Sequence, residues 1–213
     1  MTTSLNCDVS KSKSALIIFT RNPELGKCKT RLAKSVGNEA ALDIYKYLLK
    51  HTATISQNVN VDKFVFYSEE IKKEDLWNNA VFKKKLQQGI DLGQRMEHAF
   101  KQLFQSQYKK IIIIGSDLLD LKPADIETAF QILNKNDFVI GPAKDGGYYL
   151  LGMKRLQSKL FKNKKWGKYT VLNDTLKDIQ NSTFVLLKEL NDIDTFEDLK
   201  PYQQLKKFYI KND

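Results

Sequence analysis

The sequence has few of the residues that would cross-link a small fold or carry it through a membrane. Its two cysteines, Cys7 and Cys28, are too few for a disulfide framework and fit a reducing compartment such as the cytoplasm. No apolar run approaches the ~20 residues of a membrane span. The two histidines, His51 and His98, are too few for a zinc site or a Ser-His-Asp triad. The polar residues 1–13 are expected to form a disordered tail and not a signal peptide.

The remaining composition is that of a chain with one well-buried core. Of the 213 residues, 42% are hydrophobic and 28% are charged, which predicts one or at most two globular domains. There is no repeat or low-complexity linker, so we expect residues 14–210 to form a single domain. The sequence does not determine the oligomeric state.

The net charge of +10 permits a nucleic-acid partner and equally suits any polyanionic ligand. The lysines occur in short scattered groups such as Lys83–Lys85 and Lys206–Lys207, with no basic helix or arginine-rich arm. This distribution is typical of a solvated surface and disfavours nucleic acid as a partner. A non-enzymatic binder of nucleotides or nucleic acid stays open as one alternative.

Apolar runs of strand length alternate with helical periods along the chain. The runs Ala15–Phe19 and Ile111–Ile114 are continuous, as in strands that are covered on both faces. The alternation predicts an α/β fold with a mostly parallel sheet. Further strands are predicted at Val61–Tyr67, Phe138–Ile140, Tyr148–Leu151 and Thr183–Leu187, and helices are predicted from Asn38, Leu92, Pro123, Thr170 and Thr195.

Local signals mark several helix ends. Asn38 is a candidate N-cap, and Pro123 suits the first turn of a helix. Thr195 and Asp198 have the spacing of a capping box. Pro201 is expected to kink or split the C-terminal helix.

The loop after the first strand is rich in cations. Turn signals at Asn22-Pro23 and Leu25-Gly26 would bring its charged side chains together. Charge-assisted donors of this kind bind phosphate, and Gly26 would let the backbone approach an anion. The loop is not a P-loop, and an exposed basic turn is the alternative interpretation. The cations are Arg21, Lys27, Lys29 and Arg31.

A carboxylate follows the strand Ile111–Ile114. Asp117 could hold Mg²⁺ or Mn²⁺, which take one or two carboxylates and complete their coordination with phosphate and water. A turn-forming role is the alternative, and it is the favoured one for Asp120. Because ligands bind at the carboxyl ends of parallel strands, we expect Asp117 and the cationic loop to share one crevice.

A second acidic segment contains a pair of glycines. Asp145 is followed by Gly146 and Gly147, which predicts either a turn that approaches a ligand or a plain hairpin. The adjacent pair Tyr148-Tyr149 is expected to pack in a strand.

Near the C-terminus, Asp192 and Asp194 flank an inward-pointing Ile193. These carboxylates are either ligand groups or simply stabilise the N-terminus of a helix. Arg95 is expected to reach an anion or to pair with Asp91 or Glu97.

Cys28 lies within the cationic loop, which is expected to lower its thiol pKa. No partner for a nucleophilic cysteine is evident.

Taken in order, these segments resemble a known family. The similarity extends from about residue 14 to about residue 200. It is to a glycosyltransferase-like family related to 2-phospholactate guanylyltransferase, within the nucleotide-diphospho-sugar transferases of GT-A type. The motifs are Phe19–Leu32, Gln88–Met96, Gly115-Ser116-Asp117, Gly141–Tyr149 and Asp192–Leu199.

The resemblance implies a three-layer α/β/α Rossmann-like sandwich. It also implies a nucleotide sugar or nucleoside triphosphate as donor, a small-molecule acceptor, and Mg²⁺ or Mn²⁺ as cofactor. The candidate nucleotide and phosphate ligands are Arg21, Gly26, Lys27, Lys29, Arg31 and Arg95. The acceptor-side loop contains Gly146, Gly147 and Tyr148, the candidate catalytic residues are Asp117 and Asp145, and the metal ligands are Asp117 and Asp194, with Asp192 as the alternative to Asp194.

One departure from the family pattern concerns the metal site. The family commonly has Ser-Asp-Cys-Pro-Asp-Leu where this chain has Ser116–Leu121, so Leu119 replaces a proline and the turn geometry is expected to differ. The leading hypothesis is a metal-dependent glycosyltransferase that uses a nucleotide-diphospho-sugar. The alternative is a nucleotidyltransferase that couples a nucleoside triphosphate to a phosphorylated acceptor and releases pyrophosphate.

Overall fold

The computed structural model describes residues 13–210. Residues 1–12, which include Cys7, and residues 211–213 lie outside the described part of the chain. The predicted N-terminal tail therefore lies outside it as well, apart from Lys13.

Within residues 13–210, seven strands form one sheet with the order β3-β2-β1-β4-β6-β5-β7. The pairs β1–β2, β1–β4, β2–β3 and β5–β7 are parallel, whereas β6 runs antiparallel to β4 and β5. The mostly parallel sheet confirms the prediction. The strands are β1 Ser14–Thr20, β2 Asp62–Tyr67, β3 Phe82–Leu86, β4 Lys110–Ile114, β5 Phe138–Pro142, β6 Tyr148–Met153 and β7 Phe184–Leu186.

Helices cover both faces of the sheet. No helix in the described part of the chain is long and apolar enough to cross a membrane. Short 3₁₀ segments lie at Ser158–Phe161 and Gln203–Phe208. The α-helices are α1 Thr30–Val36, α2 Asn38–Gln57, α3 Leu92–Gln105, α4 Pro123–Ile132, α5 Val171–Asp178 and α6 Phe196–Leu199.

The apolar strands separate two core clusters, because successive side chains of a strand point to opposite faces. In β1, Leu16 and Ile18 pack with residues of α2 and α4, whereas Ala15 and Ile17 pack with residues of α3. All four are fully buried. A third cluster packs the segment after β7 and the C-terminal turns against α1 and α2. That packing places the segment after β7 beside the cationic loop.

One α-helix and one strand were not predicted. Helix α1 begins directly after Lys29 and has only seven residues. It was missed because this stretch was interpreted as part of the cationic loop. Strand β3 contains Lys83, Lys84 and Lys85 and was interpreted as solvated surface. It lies at the edge of the sheet, where lysines are well tolerated.

The helix-end signals were mostly correct. Pro123 is at the first position of α4, and Thr195 and Asp198 form the capping box that opens α6. Helix α6 ends at Leu199, before Pro201. The prediction for Asn38 was wrong, because Gly37 occupies the N-cap position and Asn38 is already helical.

Candidate functional site

Two loops leave the sheet side by side, after β1 and after β4. These strands are adjacent, with Ile18 opposite Ile114. The Tyr45 hydroxyl of α2 lies between the loops, where it accepts a hydrogen bond from the Arg21 N–H at 2.9 Å and lies 3.4 Å from Ser116 Oγ. Burial raises the pKa of Tyr45, so the hydroxyl stays protonated. Tyr45 thereby fixes the two loops to each other.

Lys29 connects the cationic loop to the acidic side of the site. Its Nζ lies 2.9 Å from Asp117 Oδ2 and 4.0 Å from Asp194 Oδ1, and its side chain is only 6% exposed. Arg31 Nη1 donates to Asp194 Oδ2 at 3.1 Å. Burial acts to lower the pKa of Lys29, but the Asp117 and Asp194 carboxylates outweigh it and the pKa is raised. Lys29 is therefore a charged, largely buried partner of both carboxylates.

The segment between β7 and α6 is held against the Asp117 loop. The Ile193 N–H donates to the Asp117 carbonyl oxygen at 3.2 Å, and the Ile193 side chain is fully buried, as predicted. Asp198 Oδ2 accepts from the Asp194 N–H at 3.3 Å. These contacts position Asp194 near the cationic loop, whereas Asp192 lines a neighbouring cavity.

The other residues of the cationic loop lie further out. The Lys27 side chain is 61% exposed and pairs with Glu24 at 2.7 Å, and Arg21 is exposed. Gly26 has φ +75°, and a Cβ there would meet nothing within 4 Å. The structure therefore brings Lys29 and Arg31 to the carboxylates, while Lys27 and Arg21 lie on the open side.

Arg95 lies at the start of α3. Its Nε donates to the Gly89 carbonyl oxygen at 3.0 Å, and the structure gives it this backbone partner in place of the predicted Asp91 or Glu97. Arg95 therefore holds the turn that precedes α3.

A cavity of about 250 Å³ opens beside Asp117. Lys29 and Arg31 are not among the residues that line it. Its polar walls include Asp117, Asp145, Asp192 and Lys168, and its apolar walls include Phe19, Leu92, Met96, Tyr148 and Trp166.

The predicted hairpin alternative for the double-glycine segment is confirmed, since β5 and β6 are antiparallel neighbours. At its turn, Asp145 Oδ1 accepts from the Gly147 N–H at 2.7 Å. The Gly146 carbonyl oxygen accepts from the Leu172 N–H at 2.9 Å. A Cβ on Gly146 would lie 2.3 Å from the Tyr169 carbonyl oxygen, so the turn packs closely against the start of α5. It also lines the cavity.

Asp192 has an unusual environment. Burial raises its pKa to about 7, and the Asp117 and Asp145 carboxylates act in the same direction. The Asp192 carboxyl therefore changes its charge near neutral pH, within the cavity.

The prediction for Cys28 was wrong. Burial raises the pKa of its thiol, against smaller lowering effects that include those of Lys29 and Arg21. Cys28 is buried, and its Sγ donates to the Glu24 carbonyl oxygen at 3.4 Å. It packs the cationic loop and is not an activated nucleophile.

Tyr45, Gln87 and Trp166 are among the side chains at the site that were not predicted to take part. Tyr45 was not singled out from the sequence, although a buried tyrosine usually has a hydrogen-bond partner for its hydroxyl. Gln87 Nε2 donates to the carbonyl oxygens of Thr20 and Phe66, at 3.1 and 2.9 Å, and joins the ends of β1 and β2. Trp166 was overlooked because lysines surround it in the sequence. The signal that could have identified it was an isolated aromatic residue next to a glycine, Gly167.

The fold and the position of the site define a class of protein, the three-layer α/β proteins with a Rossmann-like sheet and a crevice at the strand ends. The chain belongs to a family described as uncharacterized protein conserved in bacteria (DUF2064), whose model matches residues 51–168. No functionally curated protein matches the sequence significantly.

Solved structures share the whole fold. A Desulfovibrio desulfuricans G20 protein, provisionally described as a nucleotide-diphospho-sugar transferase, is 30% identical over 92% of this chain and 88% of its own, with a TM-score of 0.83. A cytidylyltransferase from Leptospira borgpetersenii is 15% identical, with 93% and 88% coverage and a TM-score of 0.59. The 4-diphosphocytidyl-2C-methyl-D-erythritol synthase of Anaerococcus prevotii is 13% identical, with 91% and 96% coverage and a TM-score of 0.61. The last two similarities concern the fold alone.

Proposed function

We propose that this protein is a metal-dependent transferase with a nucleotide-activated donor, and that a nucleotide-diphospho-sugar is the leading candidate for this donor. The observation that carries the proposal is the position of Asp117, with the Lys29 ammonium on its carboxylate and the acidic cavity beside it. This arrangement can hold the phosphates of a donor on one side of the Asp117 carboxylate and an acceptor molecule on the other. The description of the Desulfovibrio relative supports the same class.

The residues present fit Mg²⁺ or Mn²⁺, the cofactor that this proposal requires. The Asp117 and Asp194 carboxylates lie 2.9 and 4.0 Å from the same Lys29 ammonium, so the two carboxylates already hold one cation between them. Carboxylate oxygens are the ligands these metals prefer. No cluster of three or more metal-binding side chains occurs in the described residues, so phosphate and water would complete the coordination. The bound metal would neutralise the diphosphate and stabilise its departure.

The residues of the chain then have distinct roles. Lys29 and Arg31 would exchange carboxylate partners for phosphate oxygens, and the exposed Lys27 would add a further donor. Asp145 and Asp192 both line the cavity, where either carboxylate can orient an acceptor hydroxyl or take its proton.

The test is calorimetry of nucleotide sugars and nucleoside triphosphates with and without Mn²⁺. Asp117→Asn is expected to weaken the metal-dependent binding by at least about tenfold. Asp120→Asn is the matched control, because Asp120 lies in the same loop but accepts from the Tyr202 hydroxyl at 2.6 Å. Equal binding by Asp117→Asn and wild type would sink the metal assignment.

A nucleotidyltransferase is the second candidate. The similarity in fold to cytidylyltransferases favours it. The product separates the two activities, because nucleotidyl transfer releases pyrophosphate and glycosyl transfer releases a nucleoside diphosphate.

A further inference from the structure

We propose that the cavity beside Asp117 binds an uncharged, hydroxyl-bearing acceptor with an apolar face, and that it discriminates against a phosphorylated acceptor. The inference rests on the proposed function, and it names the class of the second substrate. Three features of the cavity support it: its apolar wall, one hydroxyl with a weak partner, and its excess of carboxyl groups.

The apolar wall suits the flat face of a single ring. Trp166 lies closely against α3, since a Cβ on Gly93 would meet Trp166 Nε1 at 2.6 Å. Met96 and the 45% exposed Leu92 extend this wall. The volume of about 250 Å³ is below the roughly 300–1,000 Å³ of sites for drug-sized ligands. The C–H groups of a small polyol or sugar ring could therefore pack on these side chains.

The Tyr148 hydroxyl offers a polar contact within this wall. Its hydrogen-bond partner is Met96 Sδ, at 3.9 Å. A thioether sulfur is a weak acceptor, so a ligand hydroxyl would be a better partner than the one the protein supplies. Burial raises the pKa of Tyr148, and the group remains a neutral donor.

The carboxyl groups outnumber the cations in this cavity. Asp117, Asp145 and Asp192 line it together with one lysine, Lys168. The Lys29 ammonium is shared between Asp117 and Asp194 and is not part of the cavity lining. Carboxyl oxygens accept hydrogen bonds from ligand hydroxyls, whereas a phosphate dianion would be repelled. The charge pattern therefore favours a neutral acceptor.

The experiment compares two ligands with the same ring, methyl α-D-glucoside and glucose 6-phosphate. Binding to the full-length protein is followed by saturation-transfer NMR and by tryptophan fluorescence, without nucleotide or metal. We expect the glucoside to bind at least about tenfold more tightly. Equal or tighter binding of glucose 6-phosphate overturns the proposal, and so does the absence of binding by both at roughly 10 mM.

Two variants test the contacts. Tyr148→Phe, which keeps the ring, is expected to weaken glucoside binding by about three- to tenfold. Asp145→Asn is expected to reduce the preference for the glucoside over the phosphate. Asp174→Asn, at a partly exposed aspartate of α5 that pairs with Lys177 outside this cavity, is the matched control and should change neither value. Unchanged glucoside binding by Tyr148→Phe would contradict the proposed hydroxyl contact.

The result is independent of the nucleotide experiment. If nucleotides bind with metal but glucose 6-phosphate is the tighter ring ligand, only the acceptor class is overturned. If the glucoside binds as expected but no nucleotide does, the proposed donor is overturned and the cavity stands as a sugar site.

Discussion

The Lys29 ammonium lies 2.9 Å from Asp117 Oδ2, although the two residues are 88 positions apart in the sequence. This ion pair joins the loop after β1 to the loop after β4. The Lys29 backbone has φ 50°, in the left-handed region, at the N-cap position of α1. A non-glycine residue there costs on the order of 1 kcal/mol, and the ion pair helps to offset that strain.

Replacing Lys29 by methionine is expected to destabilise the fold. The substitution leaves Asp117 without its cationic partner. Because the Asp117 side chain is 34% exposed, we expect a cost of roughly 1–2 kcal/mol, below that of breaking a fully buried pair. Lys27→Met in the same loop is the matched control, because Lys27 is exposed and should contribute little. Urea denaturation of the three proteins measures the difference, and equal midpoints for the two variants would contradict this role for Lys29.

The same variant should bind Mn²⁺ more tightly in the absence of nucleotide. The Lys29 ammonium lies at the two carboxylates that we propose as metal ligands, so cation and metal compete for Asp117 and Asp194. Removal of the ammonium is expected to raise the Mn²⁺ affinity about tenfold. Electron paramagnetic resonance of free Mn²⁺ measures it, with Lys27→Met as the control. An unchanged or weaker affinity would argue against Asp117 and Asp194 as a shared metal site.

Features of this site that depend on residues close together in the sequence could be predicted, whereas contacts between distant residues could not. The continuous apolar strands, and the positions of Asp117 and Lys29 in loops that follow two of them, could be deduced from patterns along the chain. The partner of each charge could not, because the contact between Lys29 and Asp117 is formed only when β1 and β4 become neighbours.

The errors have the same origin. The pKa of Cys28 was assigned from neighbouring charges in the sequence, whereas burial, which only the tertiary packing shows, has the larger effect. Strand β3 was missed because its three lysines interrupt the hydrophobic pattern of a strand. An edge strand tolerates such lysines, but its edge position is known only from the fold. The different surroundings of Asp192, which lines the cavity, and Asp194, which pairs with Lys29 and Arg31, likewise arise only from the tertiary packing.

Asp192 is expected to make the stability of the protein fall as pH rises from about 4 to about 7. Its pKa is about 7 in the folded protein, against a usual 3.8, so the folded state holds a proton that the unfolded state has released. The loss of stability caused by ionising Asp192 in the folded protein is therefore absent below about pH 4 and complete above about pH 7. Because the carboxyl is partly exposed, we discount the effect to on the order of 1–2 kcal/mol.

The measurement is the free energy of unfolding of wild type and Asp192→Asn at pH 5 and pH 8. The variant should lose less stability than wild type between these values, and Asp174→Asn should behave as wild type does. A wild-type stability that rises over this range, with no difference in Asp192→Asn, would contradict the raised pKa.

Gly146→Ala is expected to destabilise the protein and to disturb the cavity. Gly146 has φ +85°, and a new Cβ would lie 2.3 Å from the Tyr169 carbonyl oxygen, so the backbone itself must move. We expect a loss of about 2–4 kcal/mol. Gly167→Ala separates backbone strain from the steric clash, since Gly167 has φ +77° but open space within 4 Å. The cost of this control variant should stay near the ~1 kcal/mol of backbone strain alone. Thermal unfolding measures both variants. Equal losses of stability in the two variants would show that the turn moves to accommodate the added methyl group. The close packing of the Asp145 turn against the start of α5 would then not be what positions this wall of the cavity.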